Sequence, residues 1–178
     1  MRNFLLVVFI LCSQWAIGQQ FKASNGMIKF YSEEILENIT AVNNKVKSIF
    51  DSKTGEIVFS VPIDAFIFDK PLMREHFNEK YLESEKYPKS TFKGKITSYK
   101  IDEKNPKVWA EGELAIHGVK QQIKIAGSLD YIDNKVIIHS IFFVKLVDYN
   151  ITVPQLMFQK IAEEIEVTIN IEYNPYEK

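Results

Sequence analysis

The fold is decided by the stretch Ile165-Glu-Val-Thr-Ile-Asn-Ile-Glu-Tyr173, in which apolar and polar residues alternate from end to end. A period of two places the apolar side chains on one face of a β-strand and the polar side chains on the other. A strand with one face in a core and one in water is typical of antiparallel sheets, because the strands of parallel sheets are buried on both faces. The pattern therefore favours an antiparallel all-β protein.

Seven further segments have the composition of β-strands. They are residues 27–32, 39–50, 56–63, 91–101, 107–116, 123–131 and 135–147. The residues between them, such as His117-Gly118 and Asp133-Asn134, tolerate tight or left-handed backbone, and short connections of this kind predict neighbouring antiparallel strands. About eight long strands predict a closed barrel without unpaired edges, although a sandwich of two sheets would show the same alternation.

Two segments interrupt the strand pattern. Residues 71–82 place apolar side chains at helical spacing behind Pro71, which suits the first position of a helix. Residues 154–164 do the same behind Pro154. We predict one or two helical turns in each segment, located at an end of the barrel where they cover it or line its mouth.

The N-terminal 18 residues have the features of a signal peptide. Arg2 is followed by nine apolar residues at 4–12, and small residues precede the expected new N-terminus at Gln19. Nine residues are fewer than the roughly 20 that span a bilayer, so an uncleaved anchor is the weaker alternative. We therefore expect an exported protein, periplasmic or extracellular, in which residues 19–178 form a single domain.

Removal of this leader would also remove Cys12, the only cysteine, so the domain depends on its core rather than on disulfides. Cys12 follows Leu11, whereas a lipid-anchored cysteine follows a small residue, and no lipid anchor is expected. The formal net charge is −1, with lysines and glutamates interspersed along the chain. Nucleic-acid binding requires clustered Lys and Arg, so this distribution argues against it.

The sequence predicts no catalytic residues and no metal site. It contains no Gly-x-Ser-x-Gly, His-Glu-x-x-His or glycine-rich phosphate motif. Glu111 and Glu113 share a strand face that we expect to point to solvent. His76, His117 and His139 lack the spacing of metal ligands, and His117 before Gly118 is interpreted as a turn residue.

Three stretches resemble the YceI-like family of secreted, lipocalin-like barrels that bind polyisoprenoid lipids. The first runs from Arg74-Glu-His-Phe77 through Lys86-Tyr-Pro88 to Thr91-Phe92, the second is Glu113-Leu-Ala-Ile-His-Gly-Val119, and the third is the alternating strand at 165–173. The resemblance covers nearly all of the chain after the leader. It implies an antiparallel lipocalin-like β-barrel of about eight strands with one or two short helices at its end.

The resemblance also implies a hydrophobic tunnel for an isoprenoid tail, with no cofactor other than a bound isoprenoid lipid or quinone as ligand. Aromatic and Met side chains make adaptable walls for such a tail. The candidates for lipid-binding residues are Phe30, Phe59, Val61, Phe66, Met73, Phe77, Tyr81, Phe92, Leu114, Ile125, Phe142, Val144, Met157 and Phe158.

Arg74 and His76, next to Glu75, are candidates for contact with a polar head group at the mouth of the tunnel. The alternative reading of the interior is a filled core, because small barrels are often packed with their own side chains. In that case the barrel would be an interaction or stress-response module without a physiological lipid. The oligomeric state stays open at this stage, and a dimer is compatible with the sequence.

Overall fold

The computed structural model describes residues 20–33, 38–101, 103–152 and 162–176. The predicted leader, Met157, Phe158 and most of the predicted segment 154–164 lie outside these residues. Within them, ten antiparallel strands form one sheet. The strands are β1 (Gln20–Ser32), β2 (Ile39–Asn43), β3 (Lys47–Asp51), β4 (Glu56–Pro62), β5 (Ile67–Phe68), β6 (Lys89–Thr97), β7 (Lys104–Ile116), β8 (Val119–Ile132), β9 (Lys135–Lys145) and β10 (Glu164–Tyr176).

The sheet closes on itself because β1 has a partner on each edge. On one edge β1 pairs with β10 along most of its length, from Gln20 opposite Tyr176 to Tyr31 opposite Glu166. On the other edge it pairs with β3 and β2. The circuit β1-β3-β4-β6-β7-β8-β9-β10 is a barrel of eight strands, to which β2 and β5 are added. The prediction of a closed antiparallel barrel is confirmed, and the sandwich is excluded.

Two hairpins of the barrel have the turns that the sequence predicts. His117 and Gly118 join β7 to β8 with φ angles of 51° and 76°, and Asp133 and Asn134 join β8 to β9 with φ angles of 50° and 62°. Two consecutive left-handed residues define the tight turn whose twist matches that of paired strands. These turns fix the register of three neighbouring strands.

The prediction of a single strand over residues 39–50 is wrong. β2 and β3 follow β1 in a common register, with Asn43 opposite Ile28 and Ile49 opposite Lys22, but residues 44–46 between them are not a strand. The amide oxygen of Asn43 accepts a hydrogen bond from the backbone N–H of Lys45 (2.8 Å). A side chain that bonds the backbone two residues on competes with the ladder of a sheet, which explains the interruption.

The predicted helical segment at residues 71–82, which we call the plug, covers one end of the barrel. Helix α1 (Pro71–His76) continues into a π-helical turn, Phe77–Tyr81, in which the N–H of Leu82 donates to the carbonyl of Phe77 (2.9 Å). The Phe77 ring packs against three phenylalanines of β1, β5 and the loop between β4 and β5. The ring centroids lie 5.4 Å from Phe30, 5.4 Å from Phe66 and 5.0 Å from Phe68.

The other end of the barrel, which we call the filled half, is a close-packed core. Phe21, Phe50, Leu129, Val136 and Tyr173 are each 0% exposed there. The Tyr173 hydroxyl donates to the Ser48 Oγ (2.7 Å), because the Ser48 hydroxyl itself donates to the carbonyl of Val58 (2.7 Å). The filled half therefore satisfies its buried polar atoms internally, as a stable core requires.

The described part of the chain contains no helix with the length and apolar character needed to cross a bilayer.

Candidate functional site: a cavity in the hollow half of the barrel

The half of the barrel beneath the plug, which we call the hollow half, contains a partly open cavity of about 220 Å³. Its walls are inward-facing side chains of the barrel strands together with one face of the plug. Twelve of the fourteen side chains predicted to line a tunnel lie in these walls, and the other two are outside the described residues. The twelve are Phe30, Phe59, Val61, Phe66, Met73, Phe77, Tyr81, Phe92, Leu114, Ile125, Phe142 and Val144.

The cavity exists because small residues occupy inward positions in the middle of the sheet. Ala110 of β7, Gly127 of β8 and Ser140 of β9 all line it. Each contributes far less volume than the Phe and Tyr side chains of the filled half. Because neighbouring strands are held at a fixed spacing, this missing volume is not recovered by collapse of the barrel.

The polar side chains of the described cavity wall are those of Ser90, Thr91, Ser140, Tyr81 and His76. The Ser90 hydroxyl donates to the carbonyl of Ala115 (2.9 Å) and the Ser140 hydroxyl donates to the carbonyl of Ala126 (2.7 Å), so both are satisfied by the wall itself. The Tyr81 hydroxyl and the His76 ring make no hydrogen bond to another described residue. Burial raises the pKa of Tyr81, which keeps its hydroxyl a neutral donor.

Charged side chains are missing from the described part of the cavity wall, in which His76 is the single titratable group apart from Tyr81. An ionised ligand group inside the cavity would lose its hydration without gaining a counter-ion, which costs several kcal/mol. The cavity is therefore suited to an uncharged, apolar ligand segment with at most a hydrogen-bonding group near the plug.

The residues predicted to contact a head group are divided between two surfaces. His76 lines the cavity at the plug. Arg74 is exposed, and its guanidinium donates to the backbone carbonyl of Asp64 (3.2 Å) on the outside of the barrel. Arg74 and Glu75 line a separate outer groove beside β5. Head-group contact by either Arg74 or His76 stays a prediction.

His117 attaches the plug to the rim of the barrel. The sequence indicated His117 as a turn residue but did not predict this attachment. The His117 Nε2 lies 2.7 Å from the Oε2 of Glu83, the residue that directly follows the plug, and its Nδ1 lies 3.2 Å from the carbonyl oxygen of Tyr149. The Tyr87 ring packs edge-on against the imidazole, with 4.6 Å between the ring centroids. These partners are far from His117 in sequence, so no local pattern could have revealed them.

Glu111 and Glu113, the carboxylate pair on β7, face outward as expected. The Glu111 carboxylate pairs with Lys124 (2.6 Å) and the Glu113 carboxylate with Lys120 (2.9 Å), both on β8. Exposed cross-strand ion pairs of this kind contribute about 0–1 kcal/mol to stability. The pair is part of the solvated outer wall and lies away from the cavity.

The fold and the cavity define a closed antiparallel barrel with an apolar interior that opens beneath a short helical plug. The chain belongs to the YceI-like domain family, whose model matches residues 18–173. A comparison with curated proteins finds no match.

Solved structures share this fold at low sequence identity. A polyisoprenoid binding domain from Saccharophagus degradans, implicated in plant cell wall breakdown, is 13% identical, with a TM-score of 0.76 over 89% of this chain and 99% of that one. BcnA of Burkholderia cenocepacia is 14% identical, with a TM-score of 0.71 over 83% of this chain and 95% of that one. The YceI protein of Campylobacter jejuni is 16% identical, with a TM-score of 0.64 over the whole of both chains.

Proposed function

We propose that this protein is an exported, non-enzymatic lipid-binding protein that holds the tail of an isoprenoid lipid or quinone inside the hollow half of the barrel, for storage or transport. The observation that carries the proposal is the cavity of about 220 Å³ without a charged side chain in its described walls. Its membership of the YceI-like family supports the same function.

The driving force for binding would be burial of the tail. Each methylene group that moves from water into an apolar cavity gains about 0.8 kcal/mol. The polar end of the ligand would lie at the plug, where the Tyr81 hydroxyl can donate a hydrogen bond and the His76 ring can donate or accept one. Such a ligand would satisfy the Tyr81 hydroxyl and the His76 ring, which have no partner among the described residues.

The test is native mass spectrometry of the mature protein, purified gently from an exported source, followed by organic extraction of any added mass. We expect an extractable isoprenoid or quinone. A bare polypeptide mass that persists after incubation with polyprenyl alcohols and quinones would contradict the proposal. That outcome would favour the alternative of an interaction or stress-response module, for which the filled half is the supporting observation.

A matched pair of variants locates the ligand. In Phe77→Asp a carboxylate replaces the plug ring that borders the cavity, and we expect the bound mass to be lost while the circular dichroism of the barrel is retained. Phe143→Asp makes the same change on the outer face of β9, where Phe143 is 60% exposed, and it should keep the ligand. Equal retention by both variants would place the ligand outside the cavity.

Export is part of the proposal and has its own test. N-terminal sequencing of the protein recovered from the periplasm or medium should begin at Gln19. An intact N-terminus at Met1 in a cell-associated protein would indicate a retained leader and would contradict export in the processed form.

A further inference from the structure

We propose that the plug end of the barrel docks on the surface of a lipid bilayer through three exposed apolar side chains, Ile67, Leu72 and Val147, which we call the rim patch. The purpose of this docking rests on the proposed lipid binding, because a carrier has to exchange an apolar tail with a membrane. The docking itself needs no bound ligand and can be measured separately.

The rim patch consists of apolar side chains that the barrel leaves in water. Four large apolar side chains of the described residues are more than half exposed, and three of them belong to the plug end: Val147 at 74%, Ile67 at 65% and Leu72 at 55%. The fourth, Phe143, lies on the outer face of β9. None of the three lines the cavity, so neither the core nor the proposed ligand accounts for their apolar character.

The rim patch lies on two sides of the barrel mouth. Phe30, the residue of β1 that stacks on the plug, pairs with β2 on one edge and with β10 on the other. β2 leads to β5, which carries Ile67 and packs against helix α1 with Leu72. β10 leads to β9, which is followed by the turn Leu146–Tyr149 with Val147. A partner that contacts both sides must span the mouth, which a flat surface such as a bilayer does.

The charges next to the rim patch are balanced, which fits a zwitterionic lipid surface. Lys145 and Asp148 flank Val147 in the chain, and both are exposed. Two exposed anions and two exposed cations follow Ile67 and surround Leu72: Asp69, Lys70, Arg74 and Glu75. Attraction to anionic lipids or to nucleic acid requires an excess of cations, which these positions do not supply. Docking would therefore be driven by burial of apolar side chains at the interface between head groups and acyl chains.

The test is co-sedimentation of the mature protein with phosphatidylcholine vesicles. We expect binding that persists from about 0.01 M to about 1 M salt, a range over which the screening length for charges falls about tenfold. Absence of binding would overturn the inference. Binding only to vesicles that contain phosphatidylglycerol, with loss at high salt, would also overturn it, because the contact would then depend on charge.

Variants on the two sides of the mouth locate the contact. Val147→Asp and Leu72→Asp each place a carboxylate in the rim patch, and each should lower the partition coefficient for vesicles at least about tenfold. The matched control is Ile141→Asp on the outer face of β9, where Ile141 is 50% exposed, and it should bind vesicles like the unchanged protein. Equal losses in all three variants would overturn the role of the rim patch. A dimer in sedimentation equilibrium that Val147→Asp dissociates would also overturn it, because the patch would then be an interface between two copies of the chain.

Native mass spectrometry of the same variants separates the docking from the proposed function. Because Val147 and Leu72 do not line the cavity, both variants should still take up an isoprenoid supplied in solution. A protein that holds an isoprenoid but does not bind vesicles would overturn the docking alone. A protein that binds vesicles but never holds an isoprenoid or quinone would overturn the proposed function and support the docking.

Discussion

The filled half and the hollow half of this barrel are built from the same eight strands, yet one is packed and the other contains a partly open cavity. In the filled half, aromatic side chains such as Phe21, Phe50 and Tyr173 meet at the barrel axis and are 0% exposed. In the hollow half, small inward residues such as Ala110 and Ser140 leave the axis free. This difference shows that the alternation of apolar and polar residues specifies the barrel, whereas the volume of the inward-facing side chains determines whether the barrel contains a cavity.

The two halves also differ in whether their tyrosine hydroxyl groups have hydrogen-bond partners. The Tyr173 hydroxyl has a partner in Ser48 at 2.7 Å, whereas the Tyr81 hydroxyl has none among the described residues. Among the described residues the fully buried side-chain polar atom without a partner is the Asn78 Oδ1, so the Tyr81 hydroxyl is not sealed off and can donate to an acceptor that a ligand brings into the cavity. An unpartnered hydroxyl on an apolar wall is therefore consistent with a binding cavity, and a partnered one with a core.

The largest difference between the halves should appear on truncation of a phenylalanine. Phe50→Ala leaves a void in the filled half and should lower the free energy of unfolding by about 3–5 kcal/mol. Phe142→Ala removes a half-buried ring that already borders the cavity, and should cost only about 1–2 kcal/mol. Urea unfolding of both variants measures the difference, and equal costs would mean that the hollow half is as well packed as the filled half.

A smaller effect should separate the two tyrosines. Tyr173→Phe removes the hydrogen bond to Ser48 and should lower the free energy of unfolding by about 1–2 kcal/mol. Tyr81→Phe removes a hydroxyl that has no partner among the described residues, so the ligand-free protein should keep its stability. Chemical denaturation of the ligand-free variants tests this pair, and a loss of similar size in both would show that Tyr81 has a structural partner.

The smallest effect concerns the attachment of the plug, which only the hollow half has. Glu83→Ala removes the contact with His117 and should favour local opening of the plug by about 1 kcal/mol, so the backbone amides of residues 77–82 should exchange about fivefold faster. Glu85→Ala changes an exposed neighbouring carboxylate and serves as the control. Unchanged amide exchange in Glu83→Ala would show that the ring packing of Phe77 alone holds the plug.

The fold could be predicted from the sequence because its signals are local. The alternation at 165–173 lies within β10, and the two left-handed turns come from residue types, His-Gly and Asp-Asn, that tolerate this backbone. The interruption at Asn43 was missed because its side chain also donates to the carbonyl of Pro62 (2.7 Å), a contact that the local pattern does not contain.

The candidate site could be predicted as a set of inward residues but not as a shape. The period of two and the resemblance indicated Phe59, Phe92 and Leu114 as inward residues, and all three line the cavity. The position of the boundary between the two halves depends on how rings from four separate strands meet, which is a property of the tertiary structure. For the same reason the sequence predicted Phe66 and Tyr81 as residues of the cavity wall. It did not indicate that Phe21 and Phe50 would fill the other end of the barrel.

The pairing of β1 with β10 has a consequence for how the barrel folds. β7, β8 and β9 are joined by two-residue turns and can pair as soon as they are synthesised, whereas Gln20 must meet Tyr176 across nearly the whole described chain. Contacts between distant segments form late because closing a long loop costs entropy. β1 can pair early with β2 and β3, which follow it in the sequence, whereas its pairing with β10 forms last. Until that pairing forms, the edges of β1 and β10 are open to other chains, so the yield of refolding should fall as protein concentration rises.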